Sequence, residues 1–178
     1  MIRNAPRQSV NLYIRGVNIL EFKITKAPMG EKDAYIDSLM ALYDQRIKYF
    51  GEKGYVLGRK GRNLLQLDPG QAQKAHNILE KAIDLQGEEA EPYVPYYYVY
   101  AATQLREQEK LPREQLLASN RKAMDVLKAN LDTNPEYKKM KNKVEGLMSD
   151  YLSCSDLISR YRPKLENQSV GMSKLKEF

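Results

Sequence analysis

Apolar residues recur at every third or fourth position along most of the chain, which is the period of an amphipathic helix. The stretch 71–87 shows this pattern most clearly, because charged and amide side chains occupy its opposite side. The turn Asp68–Gly70 separates it from an earlier apolar helix over about 55–67, and Gly87 is placed to end it with a left-handed cap. We therefore predict a helical hairpin over 54–87. The apolar positions of its second helix are Ala72, Ala75, Leu79, Ala82 and Ile83.

The same period predicts helices over the rest of the chain. They lie at 10–24, 33–50, 93–109, 113–130, 136–152 and from 155 to about 161. Residues 10–24 are apolar enough for a mostly buried helix, and Asn134 and Pro135 suit the N-cap and first position of the helix that follows them. Because no strand is needed, we predict an all-α single domain over 1–178 with about eight helices. They pair into the hairpins 10–50, 54–87, 92–131 and 135–166.

Composition narrows the class of protein. Apolar residues make up 42% of the chain and charged residues 29%, which is typical of a globular domain. We expect no membrane span, and the N-terminus lacks the apolar core of a signal peptide. Cys154 is the single cysteine, which excludes an internal disulfide and a cysteine metal cluster. The net charge of +6 is mostly interleaved with acids, except in the runs 59–62 and 138–143, which suit either solvated helix faces or a phosphate-binding surface.

The sequence offers little support for catalysis. His76 is the only histidine, it has no neighbouring nucleophile, and the pattern places it on the polar side of its helix. The acidic cluster 88–91 lacks the ligand spacing of a calcium loop. No Gly-Lys-Ser/Thr follows Gly54, Gly58 and Gly61, so close helix packing explains these glycines better than phosphate binding. We predict that the chain is not an enzyme and that it holds no metal and no cofactor.

The order Gly70, Ala75, Leu79, Ala82 resembles the second half of a tetratricopeptide repeat. A second copy of the pattern follows 41 residues downstream when Ala82 and Ala123 are superposed. The resemblance implies a right-handed superhelix of about four stacked helical hairpins. The chain departs from the repeat pattern in having no Trp at the start of any first helix, and the departures also include Gln66, Leu116 and Asn120.

Three further stretches, 11–16, 35–60 and 154–164, look like one branch of tetratricopeptide-repeat proteins from anaerobic Gram-negative bacteria. Members of this branch look like exported proteins, so the resemblance implies the periplasm or the cell envelope. The absence of a signal peptide from this chain keeps a cytoplasmic location open. The resemblance also implies that further repeats flank this piece.

In this repeat class the first helix of each hairpin lines a concave groove, so ligands meet those helices. The run from Tyr93 to Tyr100 is the sharpest compositional anomaly, and tyrosine is enriched at recognition surfaces. Its rings cannot all face one way on a helix, so we expect some in the core and some in the groove. We predict a scaffold that holds a peptide or helix of another protein in this groove. The predicted partner-binding residues are Lys60, Leu64, Tyr97, Tyr98, Ala101 and Leu105.

Three alternatives stay open. A carboxylate clamp would use Lys60, Arg62 and Asn63, although Tyr98 and Ala101 replace the polar residues that such a clamp needs next. A nucleic-acid-binding module would use the basic runs 59–62 and 138–143, against the interleaved acids. A purely structural fragment would pack against further repeats of its own chain and self-associate through its terminal repeats.

Overall fold

The structure is a computed structural model that describes residues 7–152, with the backbone alone at Met29. Within that range the chain forms seven α-helices and no strand, so the all-α prediction is confirmed. The eighth predicted helix and Cys154 lie outside the described residues. None of the described helices is both long and apolar enough to cross a membrane. The helices are α1 (Val10–Lys26), α2 (Met29–Phe50), α3 (Lys53–Leu67), α4 (Ala72–Gln86), α5 (Tyr93–Glu107), α6 (Arg113–Ala129) and α7 (Pro135–Met148).

The helices pack as successive hairpins. α1 packs on α2, α3 on α4 and α5 on α6, and each hairpin contacts the next through α2 with α3, α4 with α5 and α6 with α7. The first helices of neighbouring hairpins also touch, α3 with α5 and α5 with α7. A stack of this kind is the packing of a helical repeat protein, in which each unit buries its apolar side against its neighbours.

Several helix ends follow from local sequence. Asn134 caps α7 by accepting a hydrogen bond from the backbone N–H of Glu136 at 2.9 Å, and Pro135 occupies the first position, as predicted. Gly87 ends α4 with a φ of 56°, a conformation that glycine adopts without strain. Asp68 accepts a hydrogen bond from the backbone N–H of Gly70 at 3.1 Å, which closes the turn between α3 and α4.

One hydrophobic core runs through the stack, from Ile24 on α1 to Met148 on α7. The predicted burial of the first helix is wrong. Ile14, Ile19 and Phe22 on α1 are 43%, 58% and 64% exposed, whereas Tyr13 and Ile24 are buried. The reason is position: α1 stands at the end of the described stack and packs chiefly on α2, so its other side meets no helix of residues 7–152.

The glycines of α3 mark where neighbouring helices approach it most closely. A Cβ at Gly61 would lie 2.6 Å from Leu79 Cγ on α4, and a Cβ at Gly58 would lie 2.8 Å from Val94 Cγ2 on α5. No side chain fits at such distances without a shift of its neighbour. The close packing predicted for these glycines is confirmed. The glycines thus mark the side of α3 that meets α4 and α5.

Candidate functional site

The structure places most of the predicted partner-binding residues in the interior. Leu64, Tyr98, Ala101 and Leu105 are each at most 2% exposed and belong to the core. Lys60 is 8% exposed, and its ammonium pairs with the carboxylate of Asp44 on α2. Only Tyr97 among the six is half-buried at the surface. The prediction that these side chains face an open groove is therefore wrong for all of them except Tyr97, because their sides of α3 and α5 pack against α2, α4 and α6.

The residues of the clamp hypothesis are also engaged internally. The Asn63 amide is 3% exposed and donates to Tyr43 Oη at 2.8 Å and to the carboxylate of Glu21. Lys60 is held by Asp44. Two of the three side chains that a carboxylate clamp would use on α3 thus serve to join α3 to α1 and α2.

The accessible side of α3 is a narrow wedge of residues at spacings of four, three and four, namely Tyr55, Arg59, Arg62 and Gln66. On α5 four of the five tyrosines of the run 93–100 are accessible, as are Gln104, Arg106 and Glu107 further along the helix. Lys143 on α7 lies next to Tyr96. The prediction that some of these tyrosines lie in the core is confirmed for Tyr98, which alone is buried, whereas a groove lined by the others stays a prediction. We call the following accessible residues the arginine–tyrosine face: Tyr55, Arg59, Arg62, Gln66, Tyr93, Tyr96, Tyr97, Tyr100 and Lys143.

Direct contacts join the three helices across this face. The guanidinium of Arg62 on α3 lies 4.8 Å from the ring centre of Tyr93 on α5. Gln66 Nε2 donates to Tyr97 Oη at 2.7 Å. On the other side of α5, Lys143 Nζ of α7 lies 5.3 Å from the ring centre of Tyr96. Cations over aromatic rings attract the ring electrons, so these pairs hold the side chains in place.

The tyrosines of α5 also contact one another. Tyr96 meets Tyr97 edge to face at 5.1 Å between ring centres, and it stacks on Tyr100 at 6.2 Å. The Tyr100 hydroxyl accepts a hydrogen bond from Gln104 Nε2 at 3.0 Å. Burial is the main cause of a raised pKa at Tyr96, and the hydroxyls of Tyr97 and Tyr100 add to it. The tyrosines of the face are therefore held by contacts with one another and with Gln104.

One carboxylate, that of Glu91, lies beside the face. Glu91 lies 3.6 Å from the Arg59 guanidinium and accepts a hydrogen bond from the Tyr93 hydroxyl. Burial, with Glu91 as acceptor, raises the pKa of Tyr93 well above its ordinary value. Within residues 7–152, neither Arg62 nor Lys143 has a carboxylate at ion-pair distance. The face therefore carries an excess of positive charge.

His76 lies in a second polar cluster, inside the stack. It is 6% exposed, its ring stacks on Tyr98 at 4.6 Å, and its Nε2 lies 3.2 Å from Ser119 Oγ. The predicted position of His76 on the polar side of its helix is wrong. The residue fills the space where α4, α5 and α6 meet, and burial lowers its pKa.

The direction of the hydrogen bonds in this cluster argues against a serine nucleophile. Tyr98 Oη donates to Glu80 Oε1 at 3.0 Å, and Ser119 Oγ donates to Tyr98 Oη at 3.2 Å. Ser119 then has only its lone pairs for His76, so we assign the proton to His76 Nε2. A general base needs the opposite arrangement, in which the imidazole nitrogen accepts the serine proton. The cluster joins three helices by a chain of donors that ends at Glu80.

Two of the four lysines of the second basic run pair with acids of their own helix. Lys139 pairs with Glu136 at 3.2 Å and Lys141 with Glu145 at 2.8 Å. Within residues 7–152, no group of three or more His, Cys, Asp or Glu side chains is arranged to hold a metal ion.

Comparison with known proteins adds no family: no protein-family model, no curated protein and no solved structure matches this chain.

Sequence reasoning missed most of this face. Gly54, Gly58 and Gly61 were correctly interpreted as packing residues, but they mark only one interior side of α3. The wedge that carries Arg59, Arg62 and Gln66 lies about a quarter turn from the glycines on a helical wheel, and the side opposite the glycines is buried as well. The helix register inferred from the resemblance to tetratricopeptide repeats favoured other positions of α3 and α5 instead.

Proposed function

We propose that this chain is a protein-interaction module that holds an extended segment or a helix of another protein against the arginine–tyrosine face. The observation that carries the proposal is the ordered surface of half-buried tyrosines and cations across α3, α5 and α7. Tyrosine and arginine dominate the energetics of protein interfaces, because each offers a large contact area together with hydrogen-bond donors. Side chains that are already held in place lose little freedom on binding.

This proposal keeps the predicted kind of function and moves its site. Tyr97 belongs to both sets of residues. Leu64, Ala101 and Leu105 lie beneath the surface, in the core that packs the helices carrying it. The helical-hairpin stack also supports the proposal of a tetratricopeptide-like architecture, in which first helices such as α3 and α5 carry the ligand surface.

The experiment is a selection from a displayed peptide library on the folded chain, followed by affinity measurements on the selected peptides by fluorescence anisotropy. Tyr96→Ala should weaken binding about tenfold or more, because Tyr96 contacts Tyr97, Tyr100 and Lys143 at the centre of the face. Tyr35→Ala is the matched control, since Tyr35 is also half-buried and also carries a lysine over its ring, but it lies on α2. Equal losses in the two variants, or no selected peptide, would overturn the proposal.

A second function has its own observation, the exposed apolar side chains Ile14, Ile19 and Phe22 of α1. They favour packing of α1 against further helices, as the structural-fragment alternative expects. Sedimentation velocity should then show self-association of the chain that Phe22→Glu abolishes. Leu85→Glu is the control, because Leu85 is a similarly exposed apolar residue on α4. A monomer at all concentrations would contradict self-association.

A further inference from the structure

Contacts within the arginine–tyrosine face cover at least one face of four of its five rings. Arg59 lies over the ring of Tyr55 at 4.6 Å, Arg62 lies over Tyr93, and Lys143 lies over Tyr96. Tyr96 also stacks on Tyr100. A ligand that binds by stacking flat rings, such as the bases of a single-stranded nucleic acid, needs open aromatic faces. This surface offers such a ligand few of them.

What the face does offer is hydrogen-bond donors. Tyr97 Oη accepts from Gln66 and Tyr100 Oη accepts from Gln104, so each hydroxyl keeps its own proton for a further acceptor. A tyrosine hydroxyl held in this way can donate to a ligand at little entropic cost.

The charges of the face also favour a ligand that accepts hydrogen bonds. Arg59 is balanced by Glu91, but Arg62 on α3 and Lys143 on α7 have no carboxylate partner within residues 7–152. These two cations lie on either side of the tyrosines of α5, which they contact through Tyr93 and Tyr96. A ligand that crosses from α3 to α7 therefore meets a cation, a row of hydroxyl donors and a second cation.

We propose that the partner segment is acidic: an extended stretch of polypeptide whose Asp and Glu side chains accept hydrogen bonds from Arg62, Lys143 and the hydroxyls of Tyr97 and Tyr100. This inference rests on the proposed function, because it names the chemistry of the ligand for the same face. Carboxylates fit because they are acceptors only and pair with guanidinium and ammonium groups.

The size of the face sets the length of the probe. Packed helices lie about 8–10 Å apart, so α3, α5 and α7 span roughly 20 Å between their axes. An extended chain advances about 3.3 Å per residue, so about six residues cross the face and a peptide of about twelve covers it with both ends beyond. Alternate side chains of an extended peptide point the same way, which favours glutamate at every second position.

The test compares three labelled probes on the folded chain by fluorescence anisotropy. The first is a peptide of about twelve residues with blocked ends and glutamate at every second position. The second has glutamine in place of glutamate, and the third is single-stranded DNA of similar length. The glutamate peptide should bind about tenfold or more tighter than its twin at low salt, with a smaller difference at high salt. Arg62→Gln and Lys143→Gln should each weaken it by about threefold to tenfold. Arg121→Gln on α6 is the matched control and should leave it unchanged, since Arg121 is exposed away from the face.

The outcomes separate this inference from the proposed function. Equal binding of the two peptides, tighter binding of DNA, or an equal loss in the Arg121→Gln variant would overturn the acidic partner. If library-selected neutral peptides still lost affinity in Tyr96→Ala, the face would remain a protein-binding surface with another specificity. If neither probe nor library peptides bound, both proposals would fail.

Discussion

The substitution Gly61→Ala tests the close packing of α3 against α4. Gly61 is buried between α3 and α4, and the added methyl would lie 2.6 Å from Leu79 Cγ, 2.9 Å from Leu79 Cδ2 and 3.3 Å from Ile78 Cγ2. Leu79 is fully buried and is held by the core on its other sides. Because the nearest atom is the branch point of the side chain rather than its flexible end, a rotamer change alone does not relieve the contact.

Two opposing effects set the magnitude. Replacing glycine by alanine inside a helix stabilises it by about 0.8–1 kcal/mol. Overpacking of a filled interior costs about 1–3 kcal/mol, and two atoms within 3 Å place this site in the upper part of that range. The net expectation is a loss of about 1–2 kcal/mol in the free energy of unfolding.

The assay is urea unfolding followed by circular dichroism at the helix band. Gly146→Ala on α7 is the matched control, because no atom lies within 4 Å of the added methyl, and it should stabilise the chain by about 0.5–1 kcal/mol. If Gly61→Ala were as stable as the unchanged protein or more so while the control behaved as expected, the close approach of α3 and α4 would be refuted.

Three further predictions concern the buried polar groups. Burial lowers the pKa of His76 from its ordinary 6.5, so the unfolded chain binds the proton more tightly than the folded chain does. The stability contributed by neutral His76 should therefore be lost as pH falls below 6.5. Urea midpoints at about pH 7.5 and about pH 5.5 measure this loss, and His76→Gln should reduce the difference between them. Burial and the nearby Glu21 carboxylate raise the pKa of Tyr43 to about 12. The stability that neutral Tyr43 contributes should therefore be full below pH 10 and fall between pH 10 and about 12, with a smaller fall in Tyr43→Phe. Tyrosinate absorbance follows the ionisation. Tyr98→Phe removes the acceptor of the Ser119 hydroxyl and a donor to Glu80, so the free energy of unfolding should drop by about 1–2 kcal/mol in the urea assay; an unchanged value would show that this hydrogen-bond chain does not stabilise the stack.

Much of the fold followed from sequence because its causes are local. Ala75, Leu79 and Ala82 repeat at helical spacing and are all fully buried, and the turn at Asp68 and the cap at Asn134 use side chains that bond to their own backbone. The exposure of one side of α1 could not be derived in the same way. Its apolar residues are arranged as in a buried helix, and only the number of helices packed on α1 leaves Phe22 exposed.

The binding face was harder to predict because an apolar stripe satisfies a groove and a core equally well. Leu64 and Leu105 carry no polar atom that would distinguish the two environments. Tyr98 lies in the core because its hydroxyl bonds to Glu80 and Ser119, which are 18 and 21 residues away in sequence. These partners come close only through the packing of three helices. The same packing draws His76 inward.

The central claim is that the partner meets the arginine–tyrosine face rather than the buried side of α5. The most direct measurement is the affinity of a library-selected peptide for two variants at neighbouring positions, Tyr97→Ala and Tyr98→Phe. Tyr97 is accessible and Tyr98 is 2% exposed, so the first variant should bind about tenfold or more weakly and the second should bind as the unchanged protein does. A loss of affinity in Tyr98→Phe with none in Tyr97→Ala, both variants being folded, would contradict the account.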